Sequence, residues 1–245
     1  MVAAGGLSLA GSELTAQMPM SLTGASGGFN ASLAKFFGSN KAFSAKAEAV
    51  IREKATRETS TIPMSFALLD GKIRMELDLS RIKSKQMTSE ALTMVKQMGM
   101  SRMTSIISPE KRLMYVVYPS LQAYVELPLS EDQDGVGTEL KISTAEAGKD
   151  NVEGHPCTKH KVVVTDKKGR KQEGFTWNAT DLKDFPVKME FTDAEATLIL
   201  VYREIQLSPP EANGFEAPAG YAKHADMQAL MRSAAQKSGG APAKK

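Results

Sequence analysis

The chain has 245 residues, of which 42% are hydrophobic, and a formal net charge of +3. The hydrophobic fraction excludes a disordered chain, and lysines and arginines interleaved with acidic residues leave no basic stripe that would predict nucleic-acid binding. A single cysteine, Cys157, excludes a disulfide within the chain, and no run approaches the roughly 20 apolar residues of a membrane-spanning helix.

Residues 1–16 are small and largely apolar, and they end at a Thr15-Ala16-Gln17 sequence that suits cleavage by a signal peptidase. They predict the remnant of a signal peptide, and therefore a periplasmic or otherwise exported protein; the alternative is a plain disordered N-terminus. Residues 17–30 are rich in Gly, Ser and Met and predict a linker before a single domain over residues 31–224.

The domain begins with a short predicted helix that ends at Phe37, with Gly38 as its C-cap. Residues 42–53 then alternate between apolar and polar side chains, which predicts a strand. Its inward face carries mostly small residues: Phe43, Ala45, Ala47, Ala49 and Ile51. Small inward residues leave room for something else, either a packed helix or a ligand.

Asp70-Gly71 is a strong signal for a two-residue hairpin turn. With these two residues as the turn, residues whose numbers sum to 141 face each other. Four apolar pairs result, and the polar residues fall on the opposite face. The pairs are Met64 with Leu77, Phe66 with Met75, Leu68 with Ile73 and Ile62 with Leu79; the polar residues are Lys72, Arg74, Glu76 and Asp78.

Residues 88–99 predict a helix that starts at a Thr88 cap, carries Glu90 in its first turn and ends at Gly99. An apolar stripe at helical spacing runs along it: Ala91, Leu92, Met94, Val95 and Met98. We expect this helix to lie on the open apolar face of the sheet as a lid. Methionine occurs fourteen times in the chain, which suits either an irregular core or an adaptable wall facing a ligand.

Further strands are predicted over residues 103–108, 113–118, 121–127 and 139–145, with an exposed acidic loop over residues 130–137. Residues 151–203 predict a four-stranded antiparallel meander, with a turn at Gly169 and a last strand over residues 197–202. That last strand is apolar on both faces, so it should be central or covered on both sides. Phe175 and Trp177 are interpreted first as core residues and second as cavity lining. Residues 225–236 predict a terminal helix, and residues 237–245 a disordered basic tail.

The predicted fold class is mainly β (α+β), with about ten or eleven strands at hairpin spacing. A single antiparallel sheet of this size is too large to stay flat. We therefore expect a curled, unclosed half-barrel covered by two or three helices.

Several local sequences resemble a family of exported bacterial proteins of unknown function with the LolA/LolB-like lipoprotein-carrier fold. They are DGKIRMEL, PEKRLMYVVYPSLQAYVELPL, VEGHPCTKHKV, GFTWNATDLKDFPVKMEF and FEAPAGYAK, and the resemblance spans about residues 40–224. Members of the wider superfamily are unclosed eleven-stranded barrels in which a helical lid covers an apolar cavity that receives acyl chains. The resemblance departs at two points: the carriers' lid-locking arginine has no counterpart in Arg74, which falls on the polar face, and no lipobox cysteine stands near the N-terminus.

The resemblance implies a non-catalytic cell-envelope protein that binds an acyl chain, lipid or lipoprotein. It implies peripheral membrane contact without a membrane span, and it leaves the oligomeric state open. Combined with the hairpin and helix patterns, it predicts an apolar ligand-binding cavity lined by Met64, Phe66, Leu68, Met75, Leu77, Leu79, Leu92, Val95 and Met98.

His155, Cys157 and His160 are the residues that most resemble a metal site. A regular strand places His155 and Cys157 on one side and His160 on the other, although Pro156 disturbs that regularity. No fourth ligand is evident, so we interpret Cys157 as a buried structural thiol and predict neither a metal, a cofactor nor a catalytic residue.

Two classes of function fit this sequence. The first is a carrier or chaperone for an apolar ligand, and the second is a structural or interaction protein of the envelope whose cavity is filled by its own lid. A hydrolase is a remote third option. A cavity beneath residues 88–100 would favour the first class, and a fully packed interface would favour the second.

Overall fold

The computed structural model describes residues 32–85, 87–129, 141–165, 169 and 171–239. The described strands are β1 (Ala42–Glu53), β2 (Thr59–Leu69), β3 (Lys72–Asp78), β4 (Arg102–Ser108), β5 (Leu113–Tyr118), β6 (Ala123–Pro128), β7 (Lys141–Val152), β8 (His155–Thr165), β9 (Lys171–Ala179), β10 (Phe185–Thr192), β11 (Ala196–Gln206) and β12 (Ala222–His224). The described helices are α1 (Ser89–Gln97) and α2 (Met227–Gly239), with short 3-10 helices at Ser32–Phe37, Leu79–Arg81, Pro119–Leu121 and Ala212–Phe215.

All twelve described strands form one sheet in the order β12-β6-β5-β4-β3-β2-β1-β11-β10-β9-β8-β7. Neighbouring strands are antiparallel except β12 and β6, which are parallel. Because β12 and β7 lie at opposite ends of this order, the sheet is unclosed. The predicted fold class, a mainly β half-barrel with few helices, is confirmed.

One apolar face of the sheet, which we call the inner face, can be followed from strand to strand. Residues paired across antiparallel strands lie on the same face. Ala47 pairs with both Tyr202 and Met64, Met64 pairs with Leu77, and Leu77 pairs with Met103. These five residues therefore form one row across β11, β1, β2, β3 and β4. The opposite, outer face carries the polar residues that alternate with them.

The hairpin at Asp70-Gly71 forms as predicted. Both turn residues have positive φ angles, 47° for Asp70 and 85° for Gly71, as a tight two-residue turn requires. The three inner pairs nearest the turn are confirmed. The fourth pair, Ile62 with Leu79, is wrong, because β3 ends at Asp78 and Leu79 begins a 3-10 helix. The Asp78 carboxylate accepts a hydrogen bond from the Ser80 amide and thereby caps that helix.

The meander of β8 to β11 also forms, and β11 is central, between β1 and β10, as its two apolar faces predicted. Gly169 has the predicted positive φ of 77°. β7 runs to Val152, well beyond the predicted end at Ala145. The predicted loop over residues 130–137 and the predicted segments 1–16 and 17–30 lie outside the described residues. At the C-terminus, α2 continues past the predicted end to Gly239.

After β11 the chain wraps around the β6 edge of the sheet. Phe215 is buried on the outer face against Ile106, Tyr115 and Val117. β12 then pairs with β6 along the edge, and α2 returns to the inner face, where Leu230 is buried. The C-terminal segment thus covers both faces and the edge at this end of the sheet.

A hydrogen bond and two ion pairs hold the part of the C-terminal segment that lies on the outer face. The Arg74 guanidinium donates a 2.6 Å hydrogen bond to the Gly214 carbonyl oxygen. The Glu216 carboxylate contacts both Lys72, at 2.8 Å, and Lys111, and these two lysines hold the Glu216 pKa below its usual value. Arg74 lies on the outer, polar face as predicted, and its role there is to hold the C-terminal segment.

We expect Gly174→Ala to lower the free energy of unfolding by about 3 kcal/mol. Gly174 on β9 pairs with Phe191 on β10, and a Cβ at Gly174 would overlap the Phe191 ring and the Glu190 carbonyl oxygen. Urea unfolding followed by circular dichroism measures the loss. The matched control is Gly214→Ala, whose Cβ would meet the end of the flexible Arg74 side chain and should cost less than about 1 kcal/mol. Equal losses would contradict the close packing of Phe191 over β9.

Candidate functional site

The centre of the inner face is an aromatic cluster. Phe37, from the 3-10 helix that precedes β1, lies 4.6 Å from Phe43, 5.4 Å from Phe185, 5.6 Å from Tyr202 and 5.8 Å from Phe66, measured between ring centroids. Its side chain is 1% exposed. A helix of the chain itself therefore packs against Phe43 on the inward face of β1, which agrees with one of the two alternatives predicted from the sequence.

This N-terminal 3-10 helix covers the sheet without joining it. Leu33 is buried beside Phe37, and the Phe36 ring meets the Phe191 ring edge-on at 5.2 Å. The helix ends at Gly38, whose φ of 58° turns the chain toward β1. We call this segment the plug, because it fills the aromatic cluster from outside the sheet.

A second apolar cluster lies beside the aromatic one, over β4 to β6, and methionines surround it. Its buried centre includes Tyr118, Val125 and Leu230. The methionines in or against it are Met98, Met100, Met103, Met114, Met227 and Met231. Helices α1 and α2 cover this methionine cluster. Six of the fourteen methionines therefore lie in this cluster, where two helices meet the inner face.

Helix α1 lies on this region but is only shallowly packed. The Thr88 hydroxyl caps its N-terminus by accepting a 3.2 Å hydrogen bond from the Ala91 amide, as predicted. None of its residues is buried, and Met94 is 47% exposed. Val95 is half-buried and packs against both clusters. The predicted stripe is thus narrower than expected, since Ala91 and Met94 face solvent.

The residues predicted to line a cavity fall into three groups. Five are buried in the main core, two are half-buried against it, and two are half-buried elsewhere on or after α1. The buried residues are Met64, Phe66, Leu68, Leu77 and Leu79; Met75 and Val95 pack against them; Met98 packs on the methionine cluster and Leu92 is half-buried on α1. The Phe37 ring packs against Phe66. The role of these residues in ligand binding stays a prediction.

Tyr202 is the polar residue on the inner face that the sequence did not single out. Its side chain is 1% exposed, and its hydroxyl has no hydrogen-bond partner among the described residues. Three rings, those of Phe37, Phe66 and Phe185, meet it edge-on at 5.6 to 5.7 Å. Burial raises the pKa of the hydroxyl, which keeps it protonated. The signal in the sequence was a tyrosine in a strand that otherwise reads as apolar.

Open volume is found on the outer face. Two neighbouring cavities of about 610 Å³ each share a lining of Lys46, Ser65, Arg74, Glu76 and Glu204. Charges of both signs alternate there, so this groove suits water and polar groups better than an acyl chain. Phe37 and Tyr202 are each 1% exposed, so an apolar ligand at their position on the inner face would have to displace a segment of the protein.

Of the three residues His155, Cys157 and His160, the first two join a polar network that includes Asp181, whereas His160 pairs with Thr176 across β8 and β9. His155 Nδ1 lies 2.9 Å from an Asp181 carboxylate oxygen, and the Cys157 thiol donates to the His155 carbonyl oxygen at 3.3 Å. Within the described residues there is no group of three or more His, Cys, Asp or Glu side chains arranged to hold a metal ion.

Trp177 is buried, as predicted, but it lies on the face that carries Lys159 and Lys188. The two ammonium groups lie 4.8 Å and 4.0 Å from its ring centroid. Its indole N–H donates a 2.9 Å hydrogen bond to the Asp150 carboxylate. Trp177 is a member of the main core cluster, and its second interpretation, as cavity lining, stays a prediction.

Comparison with known proteins gives one family match. The family model described as "Domain of unknown function (DUF4412)" matches residues 59–185, just over half of the chain. No curated protein sequence matches the chain. None of the described helices is long and apolar enough to cross a membrane.

Solved structures similar to the chain share little sequence with it. A LolA superfamily protein from Nitrosomonas europaea is 10% identical, with a TM-score of 0.41, and the match covers 74% of this chain and 93% of that one. The lipoprotein LppX from Mycobacterium tuberculosis is 10% identical, with a TM-score of 0.40 and coverage of 76% and 96%. LprF from Mycobacterium bovis is 10% identical, with a TM-score of 0.37 and coverage of 78% and 96%.

Replacing Phe37 with Ala should lower the free energy of unfolding by about 4 kcal/mol, because it empties the centre of the aromatic cluster. Phe36→Ala is the matched control on the same helix. Phe36 is only half-buried, so its loss should be less than half as large. Urea unfolding of both variants decides the order, and a larger loss for Phe36→Ala would contradict the plug.

The Cys157 thiol should react with iodoacetamide at pH 7 at least tenfold more slowly in the folded protein than in urea. Burial covers the thiol and raises its pKa, and the thiolate is the reactive form. Mass spectrometry of timed samples measures the rate. Stoichiometric zinc in the purified protein that is lost in Cys157→Ser would overturn the structural role of this thiol.

Proposed function

The chain belongs to the DUF4412 family, and we propose that it is a non-catalytic protein of the cell envelope that binds an apolar ligand on the inner face of its sheet. The ligand class is an acyl chain, carried by a lipid or a lipoprotein. One observation supports this most directly: the inner face is closed by separate short segments, and α1, which lies over it, has no buried residue.

A shallow cover can be displaced at little cost. Fully burying one Leu or Val side chain stabilises a protein by roughly 1.5–3 kcal/mol. Leu92 and Val95 are only half-buried, so together they hold α1 with about the free energy of one fully buried side chain. An acyl chain that replaced these contacts would exchange one apolar surface for another, and water would stay excluded from the inner face.

The methionine cluster supports the same function. Methionine is unbranched and polarisable, so it adapts to apolar surfaces of different shape. Met98 and Met103 lie where α1 meets the sheet, and Met227 and Met231 lie where α2 does. A ligand that enters between these helices would therefore meet side chains that can repack around it.

The proposed location in the envelope rests on the sequence. Residues 1–16 have the small apolar character of a signal-peptide remnant, and the motifs over residues 40–224 resemble exported proteins. Export would place the apolar inner face where lipids and lipoproteins are available. Peripheral contact with a membrane surface then suffices for exchange of the ligand.

A second function has its own supporting observation. Phe37 fills the aromatic cluster, so the protein could serve as a structural or interaction component whose inner face is permanently occupied by its own plug. The two functions differ in whether the segments that cover the inner face, the plug and α1, move away from it. Mass spectrometry of the protein purified under native conditions separates them, since co-purified lipid is expected only for the first.

We expect the wild-type protein to bind a fluorescent fatty-acyl probe, and Leu92→Ser/Val95→Ser to change its affinity at least threefold. Serine at these two positions removes the apolar contacts that hold α1 down. The matched control is Met94→Ser, on the exposed side of the same helix, which should leave the affinity unchanged. Fluorescence titration measures all three proteins.

Two results would contradict the carrier function. One is the absence of probe binding to the wild type and to the double variant. The other is equal effects of the double variant and Met94→Ser, which would mean that α1 does not cover the ligand. In the first case the structural function takes its place.

A further inference from the structure

The Tyr202 hydroxyl is the feature of the inner face that packing does not explain. A buried hydroxyl without a hydrogen bond destabilises a protein, and phenylalanine would fill the same space without this cost. The hydroxyl lies in an aromatic cluster where the described side chains offer it no acceptor. A polar atom of a ligand would supply the missing partner.

The sheet register connects Tyr202 to the methionine cluster. The row that runs from Tyr202 through Ala47, Met64 and Leu77 to Met103 crosses four strand-to-strand steps. At about 4.8 Å per step the row is roughly 19 Å long. Every member of this row between its ends is apolar. An extended acyl chain could therefore lie across the strands, with one end under α1 and the other at Tyr202.

We propose that Tyr202 is the polar anchor of this site and that its hydroxyl donates a hydrogen bond to a neutral carbonyl oxygen of the ligand, such as that of an acyl ester. This inference rests on the proposed function and adds a specificity to it: the site favours an esterified chain over both a hydrocarbon and a free carboxylate.

The preference for a neutral ligand follows from the charges. The buried polar residues of the described chain are Asn40, Thr104, Ser105, Ser108 and Thr176, and none of them is charged. The cations that flank Ala47 and Tyr202 on β1 and β11, Lys46 and Arg203, alternate with inner-face residues and so point outward. A carboxylate at Tyr202 would lose its water and gain one neutral donor, which does not compensate a buried charge.

Access to Tyr202 requires movement of the plug. The Phe37 ring meets the Tyr202 ring edge-on at 5.6 Å, so a ligand that reaches the hydroxyl takes the place of Phe37. Gly38 follows Phe37 directly, and a Cβ there would meet nothing within 4 Å. This glycine, with its positive φ, provides the point at which the plug can swing away from β1.

The test uses three ligands of equal chain length: a fatty-acid methyl ester, the free fatty acid at pH 9, and the n-alkane. Each displaces a fluorescent acyl probe from the full-length wild type and from Tyr202→Phe. We expect the ester to bind the wild type about 3- to 10-fold more tightly than the alkane, the range that one net hydrogen bond supplies. In Tyr202→Phe this difference should vanish, while the affinity for the alkane stays within twofold.

An infrared measurement reports the hydrogen bond itself. The carbonyl band of a ¹³C-labelled ester should shift to lower frequency on binding to the wild type, and the shift should be absent in Tyr202→Phe. The variant should melt at or above the wild-type temperature, because it removes an unpaired buried hydroxyl. The infrared shift in the wild type does not depend on the folding of any variant.

The outcomes separate this inference from the proposed function. Equal affinities of the wild type for ester and alkane, an ester preference that survives in Tyr202→Phe, or tighter binding of the carboxylate would each overturn the anchor while leaving the carrier function intact. If none of the three ligands displaces the probe, or the probe does not bind, the carrier function fails and the anchor fails with it.

Discussion

The structure depends on one constraint: a twelve-stranded sheet with an extensive apolar inner face must hide that face from water. An exposed apolar patch of this extent would be unusual on a soluble protein. The chain meets the requirement with the plug, α1 and α2, none of which is a strand of the sheet. Phe37 packs into rings contributed by β1, β2, β10 and β11, while α1 and α2 lie on adaptable methionines. The inner face is therefore covered by an aromatic ring at its centre and by methionine-rich contacts over β4 to β6.

The two ends of the sheet are treated differently. At the β6 end, β12 pairs with the edge strand, and the contacts of Lys72 and Lys111 with Glu216 hold the approaching chain on the outer face. At the other end, β7 is exposed along most of its length and is interrupted by an irregularity between Glu146 and Gly148. Such a break in an edge strand disfavours pairing with another chain. The covered end also carries the methionine cluster. Helix α2 is therefore anchored beside α1, the helix that is proposed to be displaced by the ligand.

Local patterns in the sequence were sufficient to predict the strands and the first hairpin, but they could not identify which segment packs on the inner face. Asp70-Gly71 and the alternation around it involve residues close in the chain, so turn chemistry and face pattern fixed the register of three pairs together. Leu79 broke this pattern because the Asp78 carboxylate caps a 3-10 helix there. The partner of the inner face was a long-range choice: Phe37 and Val95 both offered apolar side chains, and periodicity does not say which of them reaches Phe66. The Tyr202 hydroxyl was missed for the same reason, since an unpaired donor is visible only when its surroundings are known.

The plug and the ligand compete for the same surface, and this competition sets how tightly a ligand can bind. Burial of the Phe37 ring favours the closed state by several kcal/mol, whereas the unpaired Tyr202 hydroxyl opposes it by roughly 1–3 kcal/mol. The closed state should therefore dominate without ligand, and the apparent affinity is lowered by the small fraction of open molecules. A ligand compensates for the cost of opening only if it replaces the apolar contacts of Phe37 and also accepts a hydrogen bond from the Tyr202 hydroxyl. A hydrocarbon meets the first condition and an acyl ester meets both, so the same hydroxyl that weakens the closed state would select the ligand that opens it.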